Sequence, residues 1–271
     1  MNAAPRLGGR VSWALLVALG MSLTAFTWPL FLSPTSAMSP AQAPLVFALV
    51  LPLVLAIVLA EMAGGRMEVK QLAMLGVLAA VGTILRPLSA GTAGFELVFF
   101  LMILAGRVFG PAFGFALGAI TMFTSGLLTS GVGPWLPYQM LAAGFVGLFA
   151  GWLPRASGRT EIVLLSGYGV VSAFAYGWLM DFSFWPFALS GDTQLSFDPA
   201  IGALANLHRF VLFNLATSMG WNAGRALTNA VVILVLGTPL LRLFRRTARR
   251  AVFSPAESSL DGILPATPRL G

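Results

Sequence analysis

The chain has 271 residues with a formal net charge of +7, and 58% of its residues are hydrophobic. Only 9% are Asp, Glu, Lys or Arg, against about 25% in an average soluble domain. So few charges cannot cover the surface of a soluble globule, and the composition is too apolar for a disordered chain. The composition therefore indicates a polytopic membrane protein. Because the chain has no cysteine, disulfides, thiolate metal sites and cysteine nucleophiles are excluded.

Apolar segments long enough to cross a membrane recur along the chain. A transmembrane helix needs about 20 apolar residues, and continuous apolar runs distinguish such helices from barrel strands, which alternate every second residue. We therefore predict an all-α, polytopic transmembrane bundle of about eight helices, at 11–32, 44–61, 71–86, 95–109, 111–129, 137–153, 161–181 and 222–243. A cleaved signal peptide is the alternative for the first segment, but its apolar run exceeds the usual length of about 7–15 residues.

The stretch 206–241 is too long for a single crossing. We expect a helix break at Gly220, with the segment His208–Met219 lying at the outer face. That segment is either a plain interfacial helix or a lid over the mouth of the bundle. The lid residues would be His208, Phe210 and Phe213.

The basic residues predict the orientation of the bundle. With both termini in the cytoplasm, the outer side holds only Arg86, Arg209 and Arg225. Cytoplasmic loops carry an excess of Lys and Arg, which favours this orientation and makes the basic run 242–250 a lipid-headgroup anchor. The thirteen basic residues on the inside are Arg6, Arg10, Arg66, Lys70, Arg107, Arg155, Arg159, Arg242, Arg245, Arg246, Arg249, Arg250 and Arg269.

Pairs of small residues four positions apart indicate close helix packing. In lipid, such residues let two helix backbones approach each other. The pattern occurs in three places, at Gly110, Gly114 and Gly118, at Gly147 and Gly151, and at Ala173 and Gly177.

Common catalytic motifs are missing from the sequence. It contains no HExxH, DDxxD, GxxxxGK[ST] or GxSxG motif, and its single histidine, His208, cannot form a His-rich metal site. We therefore expect neither enzymatic activity nor a metal or a cofactor. A membrane enzyme acting on a lipid or isoprenoid substrate is the alternative, and a structural protein that binds only a protein partner is a third hypothesis.

Charged side chains within spans are costly, so they mark functional positions. Arg86, Glu96 and Arg225 all fall at the outer level. Two interpretations remain open, an ion pair of Glu96 with either arginine, or a polar pocket with aromatic walls. The arginines favour an anionic or strongly polar ligand unless Glu96 and Asp181 neutralise them. The candidate substrate-binding residues are Arg86, Glu96, Trp135, Tyr138, Gln139, Asn222, Arg225 and Asn229.

Four stretches resemble the substrate-binding S components of energy-coupling-factor (ECF) transporters, the bacterial vitamin importers. These stretches are RPLSAGTAGFE (86–96), LAGRVFGPAFGFALG (104–118), GVGPWLPYQMLAAGFVGLFAG (131–151) and WNAGRALTNA (221–230). The resemblance implies a six-helix core at 70–246, a two-helix N-terminal extension at 1–69 and a cytoplasmic, disordered tail at 247–271. A single Lys among fifteen Arg is typical of an actinobacterial source.

The resemblance also implies a function without catalysis. An S component lies in the bacterial plasma membrane and binds a vitamin from the outer face. It delivers that vitamin together with a transmembrane coupling subunit and two ATPases. The family's gating loop matches 86–95, and its Ala-xxx-Ala coupling face is matched best by Gly76 and Ala80. Among possible substrates, a corrinoid or another cofactor-type vitamin is the preferred guess.

Overall fold

The structure, a computed structural model, describes residues 43–63, 69–88, 94–189 and 193–251, together with Gly20, Phe26, Thr27 and Met67. Over these residues the chain forms an all-helical bundle, which confirms the predicted fold class. The helices are α1 (Ala43–Ala63), α2 (Val69–Leu88), α3 (Phe99–Phe109), α4 (Pro111–Leu128), α5 (Leu136–Trp152), α6 (Gly158–Ala188), α7 (Ala203–Thr217) and α8 (Met219–Ala251).

The helices agree with the predicted segments from residue 44 onward. Four of them, α2, α4, α6 and α8, are long and apolar enough to cross a membrane. Most of the predicted first segment lies outside the described residues, although Gly20, Phe26 and Thr27 are helical. At the other end, α8 continues to Ala251, so the start of the predicted disordered tail is helical.

The predicted helix break lies at Ser218 instead of Gly220. Ser218 separates α7 from α8, and its N–H donates to the carbonyl of Asn214 over 2.9 Å. The neighbouring Thr217 hydroxyl donates to the carbonyl of Phe213. Hydroxyl side chains compete with the helix for backbone hydrogen bonds, whereas Gly220 is accommodated inside α8.

Glycines bring α3, α4 and α5 into backbone contact. A Cβ atom at Gly114 would overlap the backbone of Gly147, and one at Gly118 would overlap the backbone of Ala143. These contacts confirm the predicted packing role of the glycine pairs. Gly110 has a different role, since its φ of 101° places it in the turn between α3 and α4. Only glycine adopts that conformation readily.

The helix α1 covers the α4–α5 side of the bundle. Its Val54, Ile57 and Val58 side chains are buried in the main hydrophobic core. A second hydrophobic cluster joins α7 to the last turns of α6 and consists of Phe182, Trp185, Phe210 and Phe213.

Helix polarity alternates, so the start of α2 and the end of α8 share one end of the bundle, here called the basic end. There, Glu161 accepts hydrogen bonds from Arg107 over 2.8 Å and from Arg245 over 2.5 Å. Arg107 also donates to the carbonyl of Leu153 over 2.9 Å. This triad joins α3, α6, α8 and the α5–α6 connection. The other end, where α2 ends and α8 begins, is called the polar end.

We expect Glu161→Gln to destabilise the bundle strongly. The Glu161 side chain is 2% exposed and that of Arg107 is 10% exposed. Removing the carboxylate leaves a buried guanidinium facing an amide, which costs about 3–5 kcal/mol. Arg245→Gln is the matched comparison, because that side chain is 43% exposed and Glu161 keeps its bond to Arg107, so the loss should be smaller. Unfolding in detergent measures the loss of stability in both variants. Equal losses would contradict the central role of Glu161 in the triad.

Candidate functional site

Arg86 joins three helices at the polar end. From the last turn of α2, its guanidinium donates to the hydroxyl of Ser125 on α4 and to the side-chain carbonyl of Gln139 on α5, each over 2.9 Å. Beside it, the hydroxyls of Thr83 and Thr124 lie 2.5 Å apart. Two of the predicted site residues, Arg86 and Gln139, are therefore in direct contact.

Arg225 lies at the centre of a second polar cluster. Its guanidinium forms an ion pair with Glu96 at 2.7 Å and donates to the side-chain carbonyl of Asn222 over 3.1 Å. It also donates to the backbone carbonyl of Ala173 over 3.3 Å. Of the two ion pairs that the sequence allowed, the structure thus forms Glu96–Arg225. The side chain of Arg225 is 9% exposed, so this charge is buried inside the bundle.

Two aromatic rings enclose the Arg225 guanidinium. Its central carbon lies 4.9 Å from the ring centroid of Tyr176 and 5.6 Å from that of Phe99. A guanidinium within about 6 Å of a ring centroid is stabilised by a cation–π interaction. Neither ring was among the predicted site residues. In the sequence both are ordinary residues of apolar spans, and no spacing pattern marks them.

The segment before α3 positions Glu96. Gly94 has a φ of +82°, and a Cβ atom there would overlap the backbone carbonyl of Trp221. The segment therefore lies directly against the first turn of α8. This contact brings the Glu96 carboxylate within reach of Arg225, one turn further along α8.

Three buried polar atoms of α8 have no hydrogen-bond partner among the described residues. They are Nε of Arg225, Nδ2 of Asn222 and Oδ1 of Asn229. The other amide atom of Asn229 is paired, because Nδ2 donates to the carbonyl of Gly169 over 3.1 Å. The three residues lie on one helix face, as the sequence predicted. An unpaired buried polar group costs about 1–3 kcal/mol, so this face is suited to exchangeable hydrogen bonds.

Further charges surround Arg225. Arg86, Glu96 and Arg225 all interact electrostatically with the Tyr176 hydroxyl. Asp181 interacts electrostatically with Arg225 and accepts a hydrogen bond from Asn214 of α7. Two carboxylates, Glu96 and Asp181, therefore act on the Arg225 guanidinium.

The remaining predicted aromatic residues lie further out. Trp135 is half exposed, and its indole N–H donates to the carbonyl of Gly131, within its own connection. Tyr138 is buried, with its ring 5.3 Å from that of Phe26. Trp178 and Trp221 are exposed.

The predicted lid residues divide into two groups. His208 is exposed, whereas Phe210 and Phe213 are buried in the second hydrophobic cluster against α6. Packing of these rings fixes α7 to the extension of α6, and α7 approaches the polar site through the Asn214–Asp181 hydrogen bond.

The predicted coupling face on α2 is open. Gly76 and Ala80 are exposed, and a Cβ atom at Gly76 would meet nothing within 4 Å. Val77 and Ile84 beside them are also exposed. Over the described ranges, no group of three or more His, Asp or Glu side chains is suited to hold a metal ion.

These features define a helical membrane protein with a polar site buried at one end of the bundle. Residues 70–233 match the family model of the substrate-specific component of ECF transporters. The match covers more than half of the chain, which therefore belongs to this family, and members of the family are transporter subunits. It includes all the predicted site residues and leaves α1 outside. No curated protein and no solved structure matches the chain.

We expect Gly94→Ala to weaken the attachment of the segment before α3. A residue with a Cβ at φ +82° is strained by about 1–2 kcal/mol, and that Cβ would meet the Trp221 carbonyl. The thermal midpoint in detergent should fall by several degrees. Gly202→Ala is the control, because Gly202 has an ordinary φ of −67° and open space around it. Equal midpoints for both variants would contradict this account of Gly94.

Proposed function

We propose that the chain is the substrate-capture subunit of an ECF-type importer. It binds a vitamin or a related small nutrient from the outer face and delivers it with a transmembrane coupling subunit and two ATPases. The observation that carries this proposal is the buried guanidinium of Arg225. Unpaired polar atoms lie next to it, on a helix that the family model includes.

The proposed substrate site comprises both arginine clusters. Arg225, Asn222 and Asn229 supply hydrogen-bond donors and an acceptor from α8, while Glu96 approaches from the segment before α3. Arg86 and Gln139 contribute from α2 and α5, and Trp135 and Tyr138, at the start of α5, are its outer aromatic residues. To these predicted residues we add Phe99 and Tyr176, whose rings enclose Arg225.

The charge balance favours a polar substrate without net charge. Excess positive charge favours an anionic substrate, but here Glu96 pairs with Arg225 and Asp181 also acts on it electrostatically. The guanidinium groups can still form charge-assisted hydrogen bonds with a neutral substrate, since such bonds need a charged donor but no net charge of the site. A cofactor-type vitamin that presents amide or hydroxyl groups fits these conditions.

The basic end supports our proposed orientation. Four exposed arginines lie there, Arg155, Arg159, Arg242 and Arg246, and an excess of Lys and Arg is typical of the cytoplasmic side. Both termini of the chain are then cytoplasmic, in a bacterial plasma membrane. The polar site faces outward.

We propose that α7 is a lid over the site and that its aromatic side chains hold it against α6. Phe210 and Phe213 anchor the helix on α6, while His208 lies on the exposed surface. Release of the Asn214–Asp181 hydrogen bond would free the end of α7 that is closest to the site.

Arg225→Ala should weaken substrate binding at least tenfold. Hydrogen bonds to a charged group contribute about 1.5–3 kcal/mol each, and this residue carries the centre of the site. The purified protein is tested by equilibrium binding against a panel of water-soluble B vitamins that includes a corrinoid. One member should bind one-to-one and remain chemically unchanged.

Arg159→Ala is the control for this test, because Arg159 is exposed at the basic end. Affinity that is equal in Arg225→Ala and in the wild type would remove Arg225 from the site. Conversion of any panel member by the purified chain would overturn the transport proposal.

Gly76→Leu and Ala80→Leu should each impair complex formation with the coupling subunit. Small residues four apart permit close approach of two helix backbones, and a leucine side chain prevents it. Co-purification of the coupling subunit measures the effect. Gly167→Leu is the matched control, since a Cβ at Gly167 on α6 also meets open space. An intact complex in all three variants would show that the docking face lies elsewhere.

A further inference from the structure

The N-terminal part of the chain contacts a proposed substrate residue from outside the family-matched region. The ring of Phe26 is 2% exposed and packs edge-on against Tyr138, with the centroids 5.3 Å apart and the planes at 64°. Tyr138 directly precedes Gln139, whose side-chain carbonyl accepts a hydrogen bond from Arg86. Phe26 therefore contacts α5 in the same turn that carries Gln139.

The helix α1 approaches the same side of the bundle. It packs against α4 and α5, and these two helices carry Ser125 and Gln139, the two hydrogen-bond acceptors of Arg86. Val54, Ile57 and Val58 of α1 are buried in the main core. The residues before position 70 therefore form part of the packing behind the Arg86 half of the site.

An aromatic contact at this position fixes a ring orientation. Tyr138 lies in the first turn of α5, at the end of the bundle where a tyrosine ring normally turns its hydroxyl toward water. Here the ring is only 7% exposed. Edge-to-face packing is directional, so Phe26 restrains Tyr138 in one orientation, whereas an aliphatic side chain of similar size would fill the space without that restraint.

We propose that Phe26 is a positioning residue for the substrate site. It acts through Tyr138, so that the N-terminal extension takes part in substrate recognition in addition to packing on the core. This inference rests on the proposed function, because it assumes that Tyr138 contacts the substrate. The substrate chemistry that it implies is a planar ring system, packed against the oriented ring of Tyr138.

The test uses full-length protein purified in detergent from cells grown in rich medium. The protein is dialysed for a fixed time and then extracted with methanol. The probe is the set of small molecules in that extract, which mass spectrometry quantifies per mole of protein. The variants are Phe26→Leu, Tyr138→Leu and the double variant. Val58→Ala is the control, because it removes a buried side chain of α1 nearer the basic end. Arg225→Ala tests whether the enriched compound binds at the proposed substrate site.

Phe26→Leu and Tyr138→Leu should each lower retention of the enriched compound by about three- to tenfold, as expected for loss of one directional aromatic contact. Tyr138→Leu should lose at least as much as Phe26→Leu, because it also removes the substrate contact, and the double variant should lose no more than Tyr138→Leu, because Phe26 acts only through that ring. Val58→Ala should retain the compound even where its thermal midpoint falls as far as that of Phe26→Leu.

Two results would overturn the inference, and they are distinguishable. If Phe26→Leu retains the compound while Arg225→Ala loses it, the extension is only structural and the proposed function stands. If no compound is enriched in the wild type relative to Arg225→Ala, the site is wrong and both proposals fall together.

Discussion

Burial of the Arg225 charge is the constraint on which the polar end depends. A guanidinium inside an apolar bundle is unfavourable unless a counter-ion and hydrogen bonds compensate for its lost hydration. Here the compensation comes from four parts of the fold, namely Glu96 before α3, Phe99 on α3, Ala173 and Tyr176 on α6, and Asn222 on α8. Because no single helix supplies it, stabilising one charge fixes the positions of several elements.

The two ends of the bundle solve the same electrostatic problem differently. At the basic end, Glu161 is shared between Arg107 and Arg245, and Arg107 also binds a backbone carbonyl. At the polar end, Arg225 and two neighbouring amides keep buried atoms without partners in the described part of the chain. A site that serves only stability gains from complete pairing, whereas incomplete pairing leaves hydrogen bonds for a substrate. Unpaired buried atoms also occur elsewhere, at Gln71 and Ser166 for example, so it is their position beside the Arg225 guanidinium that distinguishes the proposed binding site.

The sequence predicted features that depend on local spacing. Apolar run lengths located the helices, and a three- and four-residue spacing placed Asn222, Arg225 and Asn229 on one face. Most features set by contacts between distant residues were missed, although the Glu96–Arg225 ion pair was one of the alternatives. The predicted helices already left Gly110 between them, but nothing near Gly94 indicated its contact with the Trp221 carbonyl. Tyr176 and Phe99 read as ordinary apolar span residues, because their role exists only once Arg225 packs between them.

Differences in exposure within the ion pair indicate where the site opens. The Glu96 side chain is 28% exposed, against 9% for Arg225, so separating the pair costs less when Glu96 moves toward water than when Arg225 does. Glu96 also lies on a connecting segment, attached to α8 through the Gly94–Trp221 contact, whereas Arg225 is fixed within a long helix. Movement of this segment would expose the unpaired atoms of α8 without breaking the glycine packing of α3, α4 and α5. We therefore expect substrate exchange to move this segment together with the α7 lid, while the glycine-packed helices stay in place.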